Sequence, residues 1–151
     1  MNHAEKALSL FKSGYNCAQA VAVAFSDVTG LTESQTAKLA SGFGGGMGRM
    51  REVCGAVSGM FMVLGLLYGY ADPKADAEKK ELYTRVQAMA EEFKKDGGSI
   101  ICRDILKNPP SDPNPSPRTL EYYNMRPCER MVFNAASIME DFLAAHPLEE
   151  N

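Results

Sequence analysis

From Val53 to Ala71 the chain carries no charged side chain, and this stretch limits the folds open to it. Its length is close to the roughly 20 apolar residues that cross a bilayer. Gly55 with Gly59, and Gly65 with Gly69, repeat the small-residue spacing that lets membrane helices pack closely. Against a span, Cys54 and Ser58 are polar, and no Trp or Lys belt flanks the segment. A helix apolar on every side is equally the expected centre of a water-soluble bundle. The segment therefore reads as a buried helix over about 53–71, with no membrane partner, its glycines admitting neighbouring backbones.

The flanking segments supply the partners that such a helix needs. Helical spacing predicts a first helix over His3 to Lys12, with Ala7, Leu8 and Phe11 on one face and Gly14 breaking it. Asn16 caps a second helix reaching Asp27 and stopped by Gly30. Thr32, with Gln35 at the capping-box position, opens a third to about Ser41. Asp72 and Pro73 open a charged helix to about Asp96, lined by Leu82, Val86, Met89 and Phe93. Ser99 caps a short helix to about Lys107, and Pro127 starts the last one, which runs to about Ala145. Between them, residues 108–118 hold five prolines and read as an extended surface loop. No strand-like alternation appears. The fold class is all-α, a single-domain helical bundle over residues 1–151.

A formal net charge of -3 with scattered Lys and Arg leaves no basic face, which argues against nucleic acid. The N-terminus lacks the charged head, apolar run and small-residue cleavage site of a signal peptide, so the expected location is cytoplasmic. In a reducing cytosol, cysteines are more often metal ligands or catalysts than structural disulfides. His3 and His146, near the chain ends, read as surface residues of no consequence, which removes the usual base for hydrolytic catalysis.

The four cysteines carry the chemistry. Cys17 follows the cap Asn16, Cys54 follows a glycine-rich run, Cys102 is three past Ser99, and Cys128 follows Pro127. Each falls near the start of a helix, where free N–H groups and the helix dipole favour thiolate over thiol. With antiparallel neighbours, Cys17, Cys54 and Cys102 share one end of the bundle. The proline loop leaves the end occupied by Cys128 undetermined.

The run GFGGGMG, Gly42 to Gly48, can only be a loop. It is no nucleotide fingerprint: no strand precedes it, and Arg49, not Lys-Ser/Thr, follows. The N–H groups of Gly44, Gly45 and Gly46, with Arg49 and Arg51, are a candidate cradle for an anion, a cofactor or the Cys54 thiolate.

The blocks Gly14-Tyr15-Asn16-Cys17-Ala18-Gln19, Ser41 to Gly48 and Cys54-Gly55-Ala56-Val57-Ser58-Gly59, with Cys102 and Cys128 beyond, span nearly the whole chain. Together they resemble the family of redox-active proteins named for its signature, C_GCAxxG_C_C. The central block departs from that name, reading Cys-Gly-Ala where the signature has Gly-Cys-Ala. The resemblance implies a helical fold and a redox role for the four cysteines, and no particular substrate.

Four functional readings follow. Cys17, Cys54, Cys102 and Cys128 could hold an iron–sulfur cluster for electron transfer, although their spacing is not that of ferredoxins. They could instead cycle as two dithiol pairs, which requires sulfurs within disulfide reach because no Cys-x-x-Cys exists. A structural zinc site without catalysis is the third, against which the cysteines are singletons far apart in sequence. Inert buried thiols in a binding protein are the fourth. The redox partner is not named by the sequence. Nine methionines and the glycine-spaced central helix make a homodimer an expectation.

Overall fold

The computed structural model describes residues 1–149. Asn2 and Glu5 close a capping box around the start of α1 (His3–Lys12). Asn16 and Gln19 do the same for α2 (Cys17–Ala24), and Thr32 and Gln35 for α4 (Glu33–Ala40). All three starts fall where the sequence puts them, because each cap satisfies backbone donors that the first turn leaves free.

Helix α2 stops earlier than expected. Phe25 leaves helical geometry, and α3 (Ser26–Thr29) is a separate turn ending on left-handed Gly30. The break turns Phe25 fully into the core, where His3 stacks on it at 4.2 Å. His3 is therefore not idle: its imidazole joins Asp27 at 2.9 Å and also Glu140, tying α1 to α3 and to the C-terminal helix. His146 stacks on Phe142.

The central helix α6 (Gly55–Tyr68) is shorter than the uncharged segment, and no helix among the described residues is long and apolar enough to cross a membrane. Its first part is enclosed by α2, α7 (Asp76–Gly97) and α10 (Cys128–Ala145). Met60, Val63 and Leu64 meet Val21, Phe93 and Met139 in one apolar core. Only the first glycine pair acts as expected. Added side-chain carbons at Gly55 and Gly59 would press on the backbone of Ala18 in α2, whereas Gly65 faces nothing within 4 Å and Gly69 meets only its own helix. On α7, Met89 and Phe93 are buried and Leu82 and Val86 pack partly against the core. That helix begins at Asp76, not at the Asp72-Pro73 turn.

Beyond Gly98, the short α8 (Cys102–Ile105) lies against the glycine run through one antiparallel bridge, Val53 to Ile101. Residues 108–118 run without helix or strand. A helix unforeseen in the sequence follows them: α9 (Leu120–Met125), opened by a Thr119 cap.

Candidate functional site

All four cysteines stand at helix starts. Cys17, Cys102 and Cys128 are the first residues of α2, α8 and α10, and Cys54 is the cap of α6. The folding pattern brings all four to one cavity of about 300 Å³. The antiparallel argument placed three there; the proline loop and α9 return the chain to the same end and add Cys128.

The backbone that builds this cavity is strained. Gly45, Gly46 and Gly48 have left-handed φ, and so do Met47, Arg49 and Arg51, which carry side chains. Left-handed geometry costs a residue with a side chain roughly 1–3 kcal/mol, and such strain concentrates at functional sites. Here it lets the short turn α5 (Gly44–Met47), which is not helical at Gly45 and Gly46, fold back on residues 49–52. Arg49 N–H donates to Gly44 O, Arg51 N–H to Gly45 O and Glu52 N–H to Gly46 O. Gly46 is irreplaceable in this turn: a side-chain carbon there would sit 2.6 Å from Cys102 Cβ and 2.9 Å from Arg51 Cα. Next to the turn, Cys54 N–H donates to Ile100 O at 2.7 Å and Cys102 N–H to Glu52 O at 2.6 Å. This register sets Cys54 and Cys102 diagonally on one face, positions typically about 7–8 Å apart.

The proline loop forms a further wall. Arg49 donates to Asp112 O and Ser116 Oγ, each at 2.8 Å, and Arg51 Nε to Pro110 O at 2.9 Å. Gly44, Gly45, Gly46 and Arg49, the candidate cradle, all line the cavity together with Pro113 and Pro115. Arg118 donates to Phe11 O and Tyr15 O, Arg126 to Ser116 Oγ, and the two guanidiniums stack on the Tyr122 ring at 4.8 and 4.6 Å. Sequence reading missed Tyr122, Arg118 and Arg126. Their one available signal was the Thr119 cap with the Tyr-Tyr pair behind it.

The four thiols differ sharply in acidity. Cys17 donates its thiol proton to Cys128, which lowers Cys128 and raises Cys17; burial raises Cys17 further. The charges of Arg126, Arg118 and Arg51 also pull Cys128 down, against the opposing effect of burial. Burial raises Cys54 to about 12, outweighing the N–H groups of Ala56 and Val57 that point at its sulfur. Burial raises Cys102 as well, although Arg51 Nη1 donates to its sulfur at 3.8 Å. A helix start therefore does not by itself make a thiolate here: Cys128 alone is lowered, and by Cys17 and the arginines. Cys54 and Cys102 are at most 7% exposed, and at that depth loss of hydration dominates a few backbone dipoles. Tyr122, buried beside Cys17 and Cys128, is pushed to about 12 and keeps its proton.

An alkaline sensitivity follows from Cys54. Below pH 9 the thiol is protonated both folded and unfolded, so it adds no pH dependence. Between pH 9 and about 12 the unfolded chain ionises while the folded one does not, and stability falls. Chemical denaturation of Cys54→Ala and wild type at about pH 8 and about pH 10 reads this: wild type should lose about 1.4 kcal/mol more over that interval. Equal losses would mean that Cys54 ionises freely in the fold.

Four cysteine thiolates are the usual ligand set of an iron–sulfur cluster. The four thiols line one cavity here, but they do not converge as a single zinc ion requires. Among the described residues no three His, Cys, Asp or Glu side chains converge as ligands of a single metal.

An all-helical fold with four cysteines gathered at the helix starts of one end defines the class of protein. The chain belongs to the C_GCAxxG_C_C family, described as "Putative redox-active protein (C_GCAxxG_C_C)", whose model matches residues 15–142. Comparison with curated proteins and with solved structures finds no match.

Proposed function

We propose that this protein is a cytoplasmic thiol–disulfide oxidoreductase in which Cys128 is the attacking thiolate and Cys17 the resolving thiol. The observation that carries this reading is that Cys17 and Cys128 line one cavity with Arg118 and Arg126, and the pair's mutual interaction shifts the two thiols in opposite directions. Cys128 thiolate attacks one sulfur of a disulfide RSSR. A Cys128–SR bond forms, the S–S bond breaks with its electron pair leaving on RS⁻, and a proton from solvent makes it RSH. Cys17, losing its proton to the second leaving thiolate, then attacks the Cys128 sulfur and closes the Cys17–Cys128 disulfide. One disulfide is reduced and two cysteines are oxidised; a donor dithiol restores the pair by the reverse exchange.

The test is purification without oxygen, a visible spectrum, iron and zinc content, and a thiol count, followed by one equivalent of a small disulfide and peptide mapping. The expected result is colourless, metal-free protein with four titratable thiols whose first disulfide joins Cys17 to Cys128. Brown protein with stoichiometric iron would replace this reading with cluster electron transfer. Thiols that react only after denaturation would make them inert.

A further inference from the structure

The arginines of the cavity are more numerous than its thiol chemistry needs. Arg49, Arg51, Arg118 and Arg126 line it, and among the described residues no Asp or Glu does. In a chain of net charge -3, this is a local reversal of sign. Arg49 has the Asp112 carboxylate at 3.8 Å. Among the described residues Arg51, Arg118 and Arg126 have no carboxylate partner. Arg118 and Arg126 spend their donors on backbone and hydroxyl oxygens and their faces on Tyr122.

Arg51 is different. It is 3% exposed, its Nε and Nη1 are used on Pro110 O and Cys102, and among the described residues its Nη2 has no hydrogen-bond partner. A buried guanidinium with a free edge and no counter-charge is costly, and proteins keep such groups where a partner completes them. A single Cys128 thiolate cannot balance three unpaired guanidiniums. On the same guanidinium, Nη1 donates to the Cys102 sulfur at 3.8 Å, which puts Arg51 at the cysteine end of the cavity.

We propose that Arg51 binds the anionic group of a small ligand in this cavity, and, resting on the thiol–disulfide reading above, that the substrate is a low-molecular-mass disulfide bearing carboxylate or another acidic group. A volume of about 300 Å³ suits such a molecule, at the lower end of the range for small-ligand sites. Arg118 and Arg126 extend the positive surface from Arg51 toward Cys128, so an acidic group seated on Arg51 brings the disulfide to the attacking sulfur. Cationic disulfides are excluded by the same charges.

Three disulfides of similar size and opposite charge test this: dithiodipropionate (anionic), hydroxyethyl disulfide (neutral) and cystamine (cationic). Each is reacted with the reduced protein at low salt, and the second-order rate is measured. Dithiodipropionate should react at least about tenfold faster than cystamine, as charge focusing in a cleft produces. Arg51→Met should remove most of that preference and Arg51→Lys should retain part of it. Binding of dithiodipropionate to the exchange-inactive Cys128→Ser protein, followed by calorimetry, separates the two claims. Binding there that is lost on adding Arg51→Met supports the anion site even if no disulfide reacts, in which case only the redox reading falls. Equal rates for the three probes, or no binding to Cys128→Ser protein, would overturn the anion site.

Discussion

Cys128→Ser protein should reduce small disulfides at least about 10²-fold more slowly than wild type at neutral pH. The size of the loss comes from thiolate fractions. An ordinary thiol, with its reference value of 9.0, is about one per cent ionised at pH 7. Cys17, Cys54 and Cys102 all lie above that reference, so each supplies less thiolate still. Cys128 alone lies below it, because the Cys17 thiol donates to it and three guanidiniums face it. Serine cannot replace it, since a hydroxyl neither ionises nor attacks sulfur under these conditions. Cys17→Ser should behave differently. The first exchange still takes place, more slowly because a weaker donor faces Cys128, and the mixed disulfide then accumulates with no thiol to resolve it. Mass spectrometry of the intact protein reads both outcomes: an adduct on Cys17→Ser and none on Cys128→Ser. Wild-type rates from Cys128→Ser protein would reassign the nucleophile. The pH profile gives a second readout. Alkylation of Cys128 should reach half its maximum below pH 9, whereas Cys54 should stay protected until about 12.

Much of this site is legible in residues that act locally. Asn16-x-x-Gln19 is a capping box in any context, so it dictates where α2 starts and puts Cys17 in its first turn. The glycine run holds only single turns, Ser41–Phe43 and Gly44–Met47, where the sequence suggests a plain loop, and its left-handed glycines turn the chain at the base of α6, so Cys54 comes with it. Acidity was not legible, because the same helix-start position yields a depressed Cys128 and a raised Cys54. What separates them is distant in sequence: Arg51, Arg118, Arg126 and Cys17 converge on one sulfur and leave the other among apolar groups. The break at Phe25 was hidden for a similar reason. Nothing in Ala-Phe-Ser-Asp ends a helix; the ring turns inward because His3, Asp27 and Glu140 form a polar tie above it. Residues 119–126 lacked a long apolar period, so α9 gave no signal beyond its cap, yet it delivers Tyr122 and both of its stacked guanidiniums.

Two substitutions in α6 should move stability in opposite directions. Gly59→Val should unfold the protein at a temperature lower by roughly 6–12 °C, a loss of about 3 kcal/mol. The first added carbon would lie 2.7 Å from Ala18 O and 3.1 Å from Val21 Cβ, and the nearer of these is backbone that no rotamer change can move aside. Helix α2 would have to back away from α6, and a better helix former at this position recovers well under 1 kcal/mol of the strain. The displacement reaches the site, because Ala18 is the residue after Cys17, and a carbon added at Gly55, one turn before Gly59, would lie only 3.1 Å from Cys17 Cβ. Disulfide exchange should therefore slow even at temperatures where Gly59→Val remains folded. Gly65→Ala, two turns further along, meets open space and should gain about 0.5–1 kcal/mol from the reduced backbone freedom of the unfolded chain. That gain also tests self-association. Gly65 and the exposed Leu66 lie on the part of α6 that the other helices leave uncovered. If a second copy of the chain packs its backbone there, Gly65→Ala will lower the melting temperature and weaken the dimer seen by sedimentation. If the face is free, the same substitution will raise the melting temperature and leave the sedimentation profile unchanged.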